Sequence, residues 1–301
     1  MNINFCSNEF LGTHTGLEKT LYDTVKKSIE RGYYNIQIFL GSSYTPKRRI
    51  VSESDIKQTN LLLKKYNVNI FTHLPYIYNL AGSVKNNCLC WEKNNRNIVH
   101  TDVDNYTLEC LKSIQYELEI IDKLDCKEKG CVLHIGSTGK LSTDEGLKKV
   151  AESINKIDFS NIKKSKLILE TMVGRGGVLG RSFNELKYVY DNVNEKRCIG
   201  FCIDTCHIFS EGLYDIRKKD NILLMFNDFD KIIGLDKLSL IHLNDSKTEF
   251  NSKQDKHATI YDGEIWRDKS VLEYFLNKMR EYKINSVLET VEDDYNKIQM
   301  I

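Results

Sequence analysis

The chain has 301 residues, 41% of them hydrophobic, with 43 Lys and Arg against 42 Asp and Glu. That length suits one α/β barrel taken as a single domain, and the apolar share is sufficient for a core, while a formal net charge of +1 carries no polybasic mark of a nucleic-acid partner. No apolar run reaches membrane-span length, and Met1–Leu11, broken by Asn4, Ser7, Asn8 and Glu9, lacks a signal-peptide core, so an intracellular protein without membrane contact is expected.

Strand-like runs recur along the chain at intervals that leave room for a helix. They are Asn2–Ser7, Asn35–Gly41, Val68–Leu74, Gly130–Gly136, Lys166–Met172, Cys198–Thr205, Lys237–Asn244 and Asn285–Thr290. Helical periodicity fills the gaps. Leu17, Leu21, Val25 and Ile29 share one face; Leu111, Ile114, Leu118 and Ile121 make the cleanest stripe, behind the polar cluster Asp102–Asn105. Thr143-Asp144-Glu145 puts acidic residues in a first helical turn, and Ser182 with Glu185 reads as a capping box. Strands alternating with helices imply parallel βα units, and eight of them fit a closed TIM (β/α)8 barrel better than an open doubly wound sheet. Nine cysteines, mostly inside apolar runs such as those of Cys110, Cys131 and Cys202, read as reduced core residues. Cys88 and Cys90, one residue apart, are too close for a zinc knuckle and read as loop residues.

The strand ends carry the chemistry. Ile70-Phe71-Thr72 runs into His73, Val132-Leu133 into His134, Leu167-Ile168-Leu169 into Glu170, Phe201-Cys202-Ile203 into Asp204 with His207 three further on, Leu240-Ile241 into His242, and Val287-Leu288 into Glu289. A buried strand has no need of a metal-binding side chain at each end, but the C-terminal ends of barrel strands converge on one mouth. Asp255 and His257, at i and i+2, share one face in extended backbone. Five of the chain's seven histidines and four carboxylates are too many donors for one ion and suit a multinuclear zinc site at that mouth. His14 and His100 fall outside the pattern and are expected to be exposed. Three long polar loops, Ser42–Ser54, Ala81–Asn97 (with Lys85, Trp91, Lys93 and Arg96) and Asp245–Arg267, follow strand ends, where barrels carry function.

Several of these segments are similar to the signatures of the endonuclease IV family of apurinic/apyrimidinic endonucleases. Phe201-Cys202-Ile203-Asp204-Thr205-Cys206-His207 resembles the core signature, and Ile241-His242-Leu243-Asn244-Asp245-Ser246-Lys247 the next one. Asp255-Lys256-His257 resembles the third-metal pair, Leu288-Glu289-Thr290 the last strand, and Leu169-Glu170-Thr171 with Gly174-Arg175-Gly176 the Glu-bearing strand and glycine loop. His73 with Tyr76, Asn79 and Leu80 resembles the first ligand and the loop behind it, so the likeness runs from about residue 35 to 291. Ile3–Ser7 lacks the His-Val-Ser common in the family's first strand, and Gly41–Arg49 departs from the usual bacterial loop.

The resemblance implies a zinc-dependent TIM barrel that cuts double-stranded DNA 5′ to abasic sites in base excision repair, leaves a 3′-hydroxyl and has 3′-repair diesterase activity besides. It implies three Zn²⁺ per chain: one held by His73, His134 and Glu170, a second by Asp204, His242 and Glu289 with Glu170 bridging, a third by His207, Asp255 and His257. Glu170 would be the catalytic residue that positions a hydroxide between the first two ions. DNA contacts would come from Lys47, Arg48, Arg49, Tyr76, Ile77 and Arg175. A monomer with no nucleotide cofactor is expected, placed in the cytoplasm or nucleus. The Asn-, Lys- and Ile-rich composition with only two prolines suggests a large DNA virus or a protist as source, which would add the virion. Two rival readings stand beside this one: a sugar isomerase or epimerase on the same barrel, whose sites are mostly carboxylate, and an inactive DNA-binding homologue. Five histidines favour zinc over the first, and a complete ligand set opposes the second.

Overall fold

A computed structural model describes residues 9–82, 103–290 and 292–299. Its strands are β1 (Leu11–His14), β2 (Asn35–Ile38), β3 (Asn69–His73), β4 (Lys129–Leu133), β5 (Lys166–Glu170), β6 (Ile199–Asp204), β7 (Leu238–His242), β8 (Asp245–Ser246), β9 (His257–Ala258) and β10 (Ser286–Leu288). All but β8 and β9 close into a parallel barrel in the order β1-β10-β7-β6-β5-β4-β3-β2. The expected TIM barrel is therefore present. The expected strand Asn2–Ser7 lies outside the described residues, and the strand that closes the barrel is β1, whose Gly12 and Thr13 pair with Asn35 and Ile36 on one side and with Val287 and Leu288 on the other. Both segments are short and weakly alternating, so periodicity alone does not choose between them.

The outer helices are α1 (Leu21–Glu30), α2 (Glu53–Tyr66), α3 (Val103–Asp122), α4 (Thr143–Ile154), α5 (Phe183–Asn192), α6 (Thr205–Ser210), α7 (Lys219–Ile232), α8 (Lys269–Tyr282) and α9 (Glu292–Gln299). Their starts follow the local chemistry. Thr20, Ser52, Ser142 and Asp268 each accept a backbone N–H of the first turn, which satisfies a donor the helix cannot. Ser142 and Glu145 complete a capping box ahead of α4. Ser182 caps α5, but the expected box is only half made, because Glu185 Oε2 accepts from Gly180 and Arg181 at 2.7 and 3.0 Å instead. Leu17 precedes α1 and packs against the core from the loop. The stripe Leu111, Ile114, Leu118 and Ile121 of α3 is buried as expected.

Two loops at the C-terminal mouth have more structure than their polarity suggests. In the third, β8 pairs antiparallel with β9, Ser246 opposite His257. The buried Asp245 carboxylate holds that ribbon by accepting from Ser246 and Ile265 at 2.8 Å and from Gly263 at 3.3 Å. In the first, Gly41 and Arg48 form an isolated antiparallel bridge. Residues 83–97 of the second loop, with Lys85, Cys88, Cys90, Trp91, Lys93 and Arg96, and His100 beyond it, lie outside the described residues. Among the described residues no helix is long and apolar enough to cross a membrane.

Candidate metal centre

Strand alternation builds the site. Phe71, Val132, Ile168, Cys202, Leu240 and Val287, one from each of six strands, form a separate apolar cluster inside the barrel. Each lies two residues before His73, His134, Glu170, Asp204, His242 and Glu289 respectively. Side chains two apart on a strand share a face, so the pleat that buries the apolar layer also raises a donor side chain directly above it.

Three further donors arrive by other routes. Asp204 caps α6, its Oδ1 accepting from His207 N at 2.9 Å, which sets His207 in the first helical turn facing Glu170. The β8–β9 ribbon delivers His257, and the segment before it brings Asp255 to His207, with Oδ2 3.2 Å from His207 Nε2 and Oδ1 3.2 Å from His257 Nε2.

Glu170 is the hub of the cluster. Its Oε2 lies 3.0 Å from His134 Nε2 and 3.4 Å from His73 Nε2, while Oε1 lies 2.9 Å from His242 Nδ1 and 3.5 Å from His207 Nδ1. His242 Nδ1 also faces Glu289 Oε2 at 3.4 Å and Asp204 Oδ2 at 3.9 Å. Asp204 Oδ2 reaches His257 Nε2 at 3.5 Å as well, so this carboxylate touches two of the expected ligand groups rather than one. All nine expected ligand residues thus meet at one mouth.

The donor set fits a cation. Donors on one tetrahedral zinc ion stand roughly 3.3–3.6 Å apart, from bonds of about 2.0–2.2 Å. The donor atoms of His73, His134 and Glu170 lie within 4.8 Å of one another, as do those of His207, Asp255 and His257, and those of His73, His242 and Glu289. Glu170 Oε2, His207 Nε2 and His257 Nε2 are buried, and among the described residues they meet only the imidazole and carboxylate atoms above, none with hydrogen-bond geometry; buried polar atoms so placed carry a desolvation cost that an ion would remove.

The electrostatics describe carboxylates and imidazoles compressed together. Burial opposes ionisation of Glu170, but His242 and His134 hold its carboxyl well below the usual range. Burial likewise disfavours a charged His207, and Asp204 and Asp255 outweigh it, raising that imidazole. His257 rises to about 8 against its own burial, through Asp204 and Asp255. Cys202 and Cys206 also lie among the donors, but burial pushes both thiols up to about 12, which keeps them as neutral packing groups.

Two residues outside the expected ligand set orient it. Gln37 on β2 accepts from His242 Nε2 at 2.9 Å through Oε1 and donates through Nε2 to Glu289 Oε1 at 2.9 Å. That bond fixes His242 with its other nitrogen toward the carboxylates. Asn244 donates to Asp204 Oδ2 at 2.6 Å and to Glu289 Oε2 at 3.0 Å. Asn244 was legible as part of a signature; Gln37 carries no signal beyond a polar position in the alternating strand Asn35-Ile36-Gln37-Ile38. His14 is a correction. It is not exposed but stands at the end of β1, with Nδ1 3.1 Å from Gln37 Nε2 and 4.0 Å from Glu289 Oε1. Burial lowers its pKa to about 4 despite Glu289, so it is neutral.

The expected DNA contacts divide. Lys47, Arg49 and Arg175 are exposed. Arg48 is turned inward instead: its side chain is 4% exposed and donates to Glu117 Oε1 on α3 at 3.1 Å, to the Ser42 carbonyl at 2.6 Å and to the Thr45 and Pro46 carbonyls. A basic run gives no sign of which member has a buried acid 69 residues away. Tyr76 is half-exposed over the cluster, its ring centroid 5.0 Å from that of His73 and 5.4 Å from that of His134. Ile77 is partly buried against the core. Tyr44, outside the expected contacts, is 62% exposed and meets Tyr76 edge to face at 6.2 Å, an exposed aromatic in a polar loop being its only signal.

A family model described as the xylose isomerase-like TIM barrel matches residues 25–297. A probable endonuclease 4 from Staphylococcus saprophyticus is 32% identical over 294 residues, 95% of this chain and 90% of that one. Another protein of that name, from Halothermothrix orenii, is 35% identical over 258 residues, covering 85% and 84%. Among solved structures, endonuclease IV from Thermus thermophilus superposes with a TM-score of 0.74 at 20% identity over 96% of each chain. A D-tagatose 3-epimerase-like protein shares the fold at a TM-score of 0.64 and 18% identity, over 96% of this chain and 94% of that one. Similarity to both endonuclease 4 proteins over 84–95% of each chain, on a barrel whose mouth gathers the signature residues, makes this chain a member of the endonuclease IV family of xylose isomerase-like TIM barrels.

Proposed function

We propose that the chain is a zinc-dependent endonuclease that hydrolyses the DNA phosphodiester 5′ to abasic sites and leaves a 3′-hydroxyl, as a base excision repair enzyme. The observation that carries this is the convergence of five imidazoles and four carboxylates at one barrel mouth, with four of the imidazoles facing Glu170. In this reading His73, His134 and Glu170 hold one ion, Glu170, Asp204, His242 and Glu289 a second, and His207, Asp255 and His257 a third. Zinc bound there would supply a water of pKa roughly 7 and neutralise charge on the phosphate oxygens.

The protein's own residues do the rest. Glu170, with both oxygens engaged, spaces the first two donor groups. Gln37 and Asn244 hold His242, Asp204 and Glu289 in place before DNA arrives, so little reorganisation accompanies reaction. A duplex phosphate reaches a recessed cluster only if the damaged nucleotide leaves the stack. In this reading Tyr76, half-exposed over the cluster, and the exposed Tyr44 against it would fill the gap, and the exposed Lys47, Arg49 and Arg175 would hold the backbone.

The test is a nicking assay on a duplex carrying one abasic site, beside an intact duplex, with metal analysis on the same preparation. Cleavage 5′ to the site, lost with chelator and restored by zinc, with about three zinc per chain, is expected. A zinc-loaded protein that leaves the abasic duplex intact, or one that holds a single manganese or magnesium and epimerises a sugar, defeats the reading.

A further inference from the structure

Asp255 and His257 differ from the other donors in what holds them. Six donors rise from barrel strands, whereas Asp255 sits in the stretch 252–256, which is neither helix nor strand, and its side chain is 47% exposed against 0–2% for Asp204 and His207. The barrel alone does not place it. What touches this stretch from below is the end of α6. Asn251 N donates to the Phe209 carbonyl at 3.2 Å and Lys253 N to the Ser210 carbonyl at 2.8 Å. Both residues adopt left-handed backbone, with φ of 64° and 59°, a conformation that asparagine takes readily but lysine holds only when its surroundings enforce it. Gly212 makes the close approach feasible, since a Cβ there would lie 2.4 Å from Asn251 Oδ1.

Glu211 completes this contact. It is 7% exposed, and its Oε1 accepts from Lys253 Nζ at 2.7 Å, while the Glu211 carbonyl accepts from the same ammonium. Its Oε2 accepts from Gly174 N at 3.3 Å, at the start of the glycine loop that carries Arg175, and Arg181 Nη1 stands 3.7 Å from Oε1. One buried carboxylate thus ties two mouth loops to α6, and the second of them is anchored two residues before Asp255. We propose that Glu211 is a positioning residue: through Lys253 it holds the 250–256 loop against α6, and so sets how firmly Asp255 and His257 retain a cation with His207. The inference rests on the three-ion reading above and deepens it.

The test compares the full-length zinc-loaded protein with its Glu211→Ala, Glu211→Gln and Lys253→Met variants. Zinc content is followed across a chelator series, and hydrogen exchange of residues 249–257 is measured in the zinc-free proteins. In Glu211→Ala the most readily lost zinc should leave at roughly 10- to 100-fold less chelator, the cost usual for a residue that supports a ligand. The other zinc should titrate as in the parent. The loop should exchange faster even without zinc, Glu211→Gln should fall between, and excess zinc should restore nicking. A residue that only stabilised the fold would lower the melting temperature with the zinc titration unmoved, and that result in a folded variant overturns the proposal. Should Glu211→Ala fail to fold, Lys253→Met carries the same expectation from the more exposed partner, and an unchanged zinc titration there is equally fatal. A parent protein that never holds a third zinc shows the failure of the metal reading itself, seen before any variant is compared.

Discussion

Glu170 faces four imidazoles, so it gives the sharpest test at the scale of a residue. Replacing it by Gln keeps the volume but removes the charge that faces four imidazoles. Nicking of abasic DNA should fall at least roughly 100- to 1000-fold, as when preorganised charge is removed from a reacting centre, with the circular dichroism spectrum unchanged. Near-parental activity in a folded Glu170→Gln protein would remove Glu170 from its role. Gln37 makes a separate prediction. Gln37→Leu leaves His242 Nε2 and Glu289 Oε1 without their 2.9 Å partners, and zinc affinity should weaken roughly 10- to 100-fold, read by competition with a zinc indicator. Equal affinity would mean that His242 is oriented by its neighbours alone. The difference in legibility between these two residues is physical. Glu170 closes the continuous apolar run Leu167-Ile168-Leu169, two residues beyond the buried Ile168, so the local sequence alone marks it as a carboxylate out of place. Gln37 acts through side chains 205 and 252 residues away, and no local pattern encodes such a meeting.

At the scale of an element, the Gly41–Arg49 loop shows that adjacent basic residues can do opposite things. Lys47 and Arg49 are exposed, whereas Arg48 is buried against Glu117. The Glu117 carboxyl is itself raised by burial and held back by Arg48, so the pair has little margin. Lys47→Gln with Arg49→Gln should leave stability unchanged and lower the salt slope of log K for duplex binding by roughly 0.9 for each phosphate no longer neutralised. Arg48→Met should instead strand a buried carboxylate and destabilise the fold by about 3–5 kcal/mol, read by denaturant unfolding. Equal stability in the double variant and in Arg48→Met would show Arg48 to be solvated. The strands, and the helix stripes behind them, could be read from periodicity because each is a local pattern repeated over several residues. The first strand could not, because four residues of Leu-Gly-Thr-His carry too little alternation to outweigh Asn2–Ser7. The β8–β9 ribbon escaped for the same reason, being only two residues on each side.

For the whole molecule, the consequential fact is that the donors come from almost every barrel strand. His73, Glu170, Asp204 and His242 end β3, β5, β6 and β7, His134 and Glu289 follow β4 and β10 directly, and Gln37 joins β2 to the same network. A cation at this mouth therefore bonds strands that are distant in sequence, and it can do so only while the barrel is closed. Binding to the folded state alone adds RT ln(1 + [L]/Kd), about 4.1 kcal/mol for each site at a thousandfold excess over Kd. Zinc removal should then lower the thermal midpoint of the entire barrel in a single transition, since no part of the cluster belongs to one separable unit. The shift should reverse on adding zinc and scale with the logarithm of free zinc. Calorimetry with and without chelator, with zinc content measured on each sample, checks the prediction. A midpoint that stays put after zinc has demonstrably left would mean that the mouth is organised by hydrogen bonds alone, and that metal binding and barrel stability are uncoupled.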